Sequence, residues 1–131
     1  VRARIFSQDA PTLWCHDSAH TPMTAAPSAF TQLLPLGCAD GGLDLQALFA
    51  ELNRRQCNEI LVESGPRLAG ALLQLGLLDE LIVYMAPTLL GSSARPLLAL
   101  PLEAMADKVP LHLRDVRQVG EDWRFTAVPG A

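Results

Sequence analysis

Aromatic residues are scarce: Phe, Trp and Tyr make up 5% of the 131 residues, while half of the chain is hydrophobic. Any core must therefore be aliphatic, and a content of apolar residues this high excludes a disordered tail. Basic residues are also in the minority, with 10 Lys and Arg against 14 Asp and Glu and a net charge of -4. That balance excludes a broad nucleic-acid surface, which needs a basic face. It does not exclude a nucleotide ligand, because a few backbone N–H groups hold a phosphate without help from Lys or Arg. Cysteine is limited to Cys15, Cys38 and Cys57. An odd, widely spaced set is no disulfide framework, and a reducing cytoplasm with free, metal-free thiols is the expectation. No run of about 18 apolar residues exists to cross a membrane. The start Val1-Arg2-Ala3-Arg4-Ile5 lacks both an initiator Met and the apolar stretch of a signal peptide. Since it opens at once in strand-like alternation, the chain is expected to be a piece of a longer protein.

Organisation follows from periodicity and punctuation. Pro11–Cys15 reads as a short strand, Asp17–Ser28 as a loop and Phe30–Leu36 as a second strand. Cys38-Ala39-Asp40-Gly41-Gly42 is turn chemistry. Asp44 then stands as an N-cap before Leu45, Leu48, Phe49 and Leu52, whose spacing marks one face of a helix ending near Asn58. Ile60-Leu61-Val62 is a wholly apolar run, as in a strand covered on both faces of a parallel sheet. Pro66 suits the first position of a helix, Leu68, Leu72, Leu73 and Leu75 give that helix its apolar face, and Gly76 ends it. Leu81–Met85 is the next strand. Strand, helix, strand, helix, strand from about Phe30 to Met85 implies two crossover units and a parallel sheet. Leu111–Val119 and Trp123–Val128, joined through Gly120-Glu121-Asp122, form a hairpin that makes the sheet mixed. Arg114, Arg117 and Arg124 are expected to face water.

The informative turn is Glu63-Ser64-Gly65-Pro66-Arg67-Leu68-Ala69-Gly70. It leaves an expected strand at its carboxyl end and opens a helix, the place where open α/β sheets bind ligands. Gly65 permits close approach of a ligand to the backbone, and the helix start presents free N–H groups and a positive dipole end. Two familiar phosphate loops are excluded. Gly65 and Gly70 have the P-loop spacing, but Ala71-Leu72 stand where Lys and Ser or Thr are needed, and the three-glycine dinucleotide fingerprint is missing. Glu63 is placed to accept hydrogen bonds from amino or hydroxyl groups of a ligand. Cys15-His16 and His20 lack a fourth ligand nearby, so no metal site is expected. Ser92-Ser93 after Gly91 reads as a flexible loop bordering the cleft.

Three motifs in order then carry a resemblance. Leu61-Val62-Glu63-Ser64-Gly65-Pro66-Arg67-Leu68-Ala69-Gly70-Ala71-Leu72-Leu73, Gly76-Leu77-Leu78-Asp79-Glu80-Leu81-Ile82-Val83-Tyr84 and Ala86-Pro87-Thr88-Leu89-Leu90-Gly91 closely resemble the reductase domain of the bifunctional riboflavin-biosynthesis deaminase/reductase family, RibD. The likeness covers roughly the whole chain and is sharpest from about Glu59 to Gly91. It implies a dihydrofolate-reductase-like α/β fold: a mixed sheet with a mainly parallel core, helices on both faces and a C-terminal antiparallel hairpin. Residues 1–131 would be the C-terminal part of a single reductase domain. The implied reaction is reduction of 5-amino-6-(5-phosphoribosylamino)uracil to 5-amino-6-(5-phosphoribitylamino)uracil with NADPH. By the same resemblance Gly65, Pro66, Arg67, Leu68, Ala69, Gly70 and Ala71 match the family's cofactor-binding turn, and Glu63 its substrate-contacting glutamate. The departure is at the front, where the family carries a further strand, more cofactor contacts and most substrate-phosphate contacts. The zinc signature of the deaminase, H-x-E with P-C-x-x-C, has no counterpart here. The expected partners are a small pyrimidine nucleotide, a deaminase domain fused upstream and further copies of the chain in a homo-oligomer, with no nucleic acid or membrane. No residue stands out as a general acid, and the fragment alone is expected to be inactive. The alternative is a structural or dimerising module of the same fold, with Leu89-Leu90 and Leu97-Leu98-Ala99-Leu100 at a subunit interface.

Overall fold

The computed structural model describes residues 3–7, 9–20, 26, 28–39 and 41–130. Val1-Arg2, much of the loop expected between Asp17 and Ser28, and Asp40 of the expected turn lie outside the described residues. The chain divides into two compact units, Val1–Ile60 and Leu61–Ala131.

The first unit pairs β1 (Thr12–Asp17) with β2 (Thr31–Leu36) in parallel, from Thr12 opposite Thr31 to Asp17 opposite Leu36. Both strands stand where the sequence places them. Thr31 and Leu36 are buried. At the end of β1, the Asp17 carboxylate accepts from the Ala19 N–H (2.9 Å) and pairs with His20 Nδ1 (2.6 Å). These two bonds hold the Asp17 carboxyl below its usual range. His16 Nδ1 lies against the carbonyl oxygens of Asp17 and His20, so both imidazoles are taken up by the loop's own hydrogen bonds. Among the described residues no group of three or more His, Cys, Asp or Glu side chains could hold a metal. The three cysteines are free thiols. Next, β3 (Cys38–Ala39) and β4 (Gly42–Leu43) form a minimal hairpin, with Gly41 at φ 77° in the left-handed region that a tight turn requires.

Helix α1 (Leu45–Arg54) begins as the sequence predicts, with Asp44 Oδ1 accepting from the Ala47 N–H at 2.9 Å. Leu45, Leu48, Phe49 and Leu52 are half-buried along one face. The helix stops at Arg54 rather than near Asn58. Gln56 turns left-handed (φ 64°), and the N–H groups of Gln56 and Cys57 close on Asn53 O and Leu52 O, the Schellman pattern that ends a helix. Glu51 accepts from Arg54 Nε and Nη2 and from Arg55 Nε, and Arg55 Nη1 reaches Gln32 Oε1 on β2 at 2.9 Å. This network ties the last turn of α1 to β2. It also lowers the Glu51 pKa to about 2, chiefly through the hydrogen bonds from Arg54 and Arg55.

The second unit corrects one expectation. Ile60-Leu61-Val62 forms no strand, and Leu61 is 82% exposed. An apolar run becomes a buried strand only when neighbours complete its hydrogen-bond ladder, and no described strand pairs with this one. The run also straddles the boundary between the two units. The two crossover units read from Phe30 to Met85 are therefore not completed, and parallel pairing among the described residues is confined to β1 and β2. Helix α2 (Pro66–Gln74) has Pro66 at its first turn and ends at Gly76 (φ 66°) through Gly76 N–H to Leu73 O and Leu77 N–H to Leu72 O. Leu72 is 2% exposed and anchors the unit's core with Ala127. The sheet is antiparallel in the order β5 (Leu81–Met85), β7 (Asp122–Pro129), β6 (Leu111–Val119). The expected hairpin is β6–β7, turned by Gly120 at φ 63°.

Strand β6 lies at the sheet edge and is exposed along its length. A register shift between Leu113 and Asp115 and the charges of Arg114, Asp115 and Arg117 interrupt that edge, which discourages pairing with another chain. Arg114 and Arg117 face water as expected. Arg124 does not do so freely: its Nε is buried and makes no hydrogen bond among the described residues.

Helix α2 and the segment after β5 approach backbone to backbone at Gly70. A Cβ on Gly70 would collide with the Ala99 carbonyl, and the Ala99 N–H donates to Pro66 O at 2.9 Å. Two outcomes follow. Gly70→Ala should destabilise the protein by about 1–3 kcal/mol through overpacking, although Ala is the better helix former by about 1 kcal/mol; a denaturant melt reads the sign. In the first unit, a carboxyl-resolved NMR titration should find Glu51 titrating near 2. Because its folded pKa is depressed, its stabilising contribution is present above the ordinary glutamate range and is lost as pH falls through the folded pKa. Glu51→Gln should remove this acid-sensitive contribution.

Candidate functional site

All the residues singled out around the turn lie in the second unit. Gly65 is the N-cap of α2, extended at φ -80° and ψ 173°, and no side chain caps this helix. Pro66 has no N–H to offer. The first intrahelical bond is Ala69 N–H to Gly65 O at 3.2 Å. The N–H groups of Gly65, Arg67 and Leu68 thus precede the hydrogen-bonded part of the helix and have no acceptor within it. Helix α1 meets the same groups with a side-chain cap, Asp44 Oδ1 accepting from the Ala47 N–H alone. Helix α2 leaves them for an acceptor from outside.

The space in front of them is open. A Cβ built on Gly65 meets no atom within 4 Å, and its φ is one that any residue adopts. Neither packing nor backbone conformation requires glycine at this position, and glycine leaves the space in front of the helix start open. A groove of about 450 Å³ is lined by Gly65, Pro66, Arg67, Leu68 and Arg95. Its lining holds two arginines and no carboxylate, beside the positive end of a helix dipole. Such a lining can attract an anion.

The other residues of the turn divide by burial. Ala69 and Ala71 are half-buried in the first two turns of α2. Gly70 is buried against the Ala99 backbone, so its lack of a side chain serves packing beneath the groove. Glu63 is exposed just before the turn, and no ion pair engages it among the described residues. Arg95 escaped the reading of the sequence. It belongs to the loop Ser92-Ser93-Ala94-Arg95, 25 or more residues beyond the turn, and only the contact between Ala99 and α2 explains its place in the groove.

Comparisons with known proteins give the family and the fold. A family model described as the RibD C-terminal domain matches residues 1–125. The chain is 57% identical over 83 residues to the riboflavin biosynthesis protein RibD of Escherichia coli K12, covering 63% of this chain and 23% of that protein. It is 32% identical over 88 residues to the 5-amino-6-(5-phosphoribosylamino)uracil reductase of Buchnera aphidicola subsp. Acyrthosiphon pisum, covering 66% of this chain and 42% of that one. The chain thus spans about a quarter to two fifths of these relatives. Among solved structures, a second form of Acinetobacter baumannii RibD aligns with a TM-score of 0.69 at 31% identity, over 90% of this chain and 37% of the other. The fold is accordingly the mixed α/β, dihydrofolate-reductase-like fold implied by the sequence motifs. With 125 of its 131 residues matched, the chain belongs to the RibD C-terminal domain family.

Proposed function

We propose that residues 1–131 are the C-terminal part of a reductase domain that converts 5-amino-6-(5-phosphoribosylamino)uracil to 5-amino-6-(5-phosphoribitylamino)uracil in riboflavin biosynthesis. A reductase of this family implies a nucleotide cofactor, and we take it to be NADPH. The observation that carries the reading is the uncapped start of α2, facing a groove with two arginines and no carboxylate. That donor set fits a cofactor phosphate. The backbone N–H groups of Gly65, Arg67 and Leu68 would donate to its oxygens, with Pro66 setting the turn and Ala69, Gly70 and Ala71 forming the helical base. Bound NADPH supplies the hydride for C1 of the ring-opened ribosylamine. The chain's own share is positioning: α2 fixes the phosphate, and Glu63 accepts hydrogen bonds from amino or hydroxyl groups of the pyrimidine substrate. No group of this chain is assigned the proton that accompanies the hydride.

The limited share of the relatives covered supports a longer protein, with a deaminase domain fused upstream. Leu89 is fully exposed and Leu90 is 78% exposed, apolar surface that a homo-oligomer would cover. The free thiols are in keeping with the cytoplasm. Among the described residues no helix is long and apolar enough to cross a membrane.

Two variants of the full-length protein test the reading. Gly65→Val should fold, since a Cβ there meets no atom within 4 Å, yet weaken NADPH binding at least tenfold, or about 1.4 kcal/mol. Unchanged affinity in the folded variant removes the cofactor from this turn. Glu63→Gln keeps the shape and loses the charge; turnover with the deaminated pyrimidine, followed by NADPH oxidation, should fall while Tm moves by only a few degrees. A large loss of Tm with normal turnover would make Glu63 structural.

A further inference from the structure

We infer that Arg95 grips a phosphate of the cofactor and helps set its affinity. The inference rests on the proposed seating of the cofactor at the start of α2 and adds to it a residue from a distant part of the chain. Arg95 lines the groove together with Gly65, Pro66, Arg67 and Leu68. Its position is built rather than accidental. Four residues on, the Ala99 N–H donates to the Pro66 carbonyl at 2.9 Å, and the Ala99 backbone rests where Gly70 has no Cβ. Pro96 follows Arg95 directly and restricts the Arg95 backbone to extended conformations. The loop is thus pinned to the very turn of α2 whose N–H groups stay free.

Charge gives the position its meaning. Arg67 and Arg95 are both exposed, and neither makes an ion pair among the described residues. Two arginines and a helix N-terminus line one groove, and no carboxylate residue is in that lining. An anion in this groove meets positive charge from both elements. A guanidinium presents paired N–H donors that match two phosphate oxygens, which the isolated backbone N–H groups of the helix cannot do. The ligand class is therefore a nucleotide phosphate, read by backbone donors from α2 and by a side-chain fork from the loop after β5.

The test is equilibrium binding of NADPH to the full-length protein over a salt series, with Arg95→Ala and Arg95→Lys, and steady-state kinetics on the same proteins. Arg95→Ala should weaken NADPH binding about tenfold at low salt and flatten the dependence of affinity on salt, because one screened charge contact is gone. Arg95→Lys should recover part of the affinity and most of the salt dependence. The kinetic loss should appear in KM for NADPH and not in KM for the pyrimidine. Wild-type affinity and salt dependence in Arg95→Ala would overturn the inference. So would a loss confined to KM for the pyrimidine, which would assign Arg95 to the substrate's phosphate instead. Gly65→Val separates the two levels. If it leaves NADPH affinity intact, the cofactor seat itself falls; if it weakens binding while Arg95→Ala does not, only the role of Arg95 falls.

Discussion

The close approach of Gly70 to the Ala99 backbone is the constraint on which the site depends. A helix and an irregular segment can touch backbone to backbone only where no Cβ intervenes, and Gly70 is the residue of α2 that provides this. The contact leaves room for the Ala99 N–H to close on Pro66 O, and that bond fixes the loop after β5 against the first turn of the helix. Burial of Leu72 two residues further on holds the same helix to its unit. One glycine beneath the groove thus acts through packing, while Gly65, at its mouth, leaves space that no protein atom fills.

The two helices show how one chain treats the same physical problem in opposite ways. Each starts with N–H groups that lack intrahelical acceptors. In α1 the Asp44 carboxylate takes one of them, the Ala47 N–H. In α2 the cap is a glycine, followed by a proline, and the nearby charges are arginines. A local carboxylate cap would oppose the phosphate proposed to bind there. The weaker cap is offset elsewhere, by the Schellman ending at Gly76 and by the buried face of the helix.

The sheet of the second unit is antiparallel and leaves its β6 edge exposed, yet that edge is poorly suited to pairing. The register shift after Leu113 moves Asp115 and Arg117 out of step with the residues before it, and their charges flank Val116. Exposed apolar side chains of this unit lie both on that edge, at Leu111, Leu113, Val116 and Val119, and outside the regular elements, most fully at Leu89 and Leu90.

Short-range chemistry made much of the molecule legible from its sequence alone. The Asp44 cap, the apolar spacing of Leu45, Leu48, Phe49 and Leu52, Pro66 at a helix start, and the glycines at 41, 76 and 120 act within a few residues of themselves, and each stands where its local chemistry requires. The family motifs around Glu63 to Gly70 are equally local. Tertiary structure decided what depends on neighbours distant in the chain. Ile60-Leu61-Val62 has the composition of a strand, but pairing is a property of two segments, and no described strand pairs with it. Arg124 alternates like a solvated residue, yet its Nε is enclosed. Arg95 carries no motif at all. Its place in the groove follows from a hydrogen bond between residues 66 and 99 and from a missing Cβ at residue 70, contacts that no local periodicity encodes.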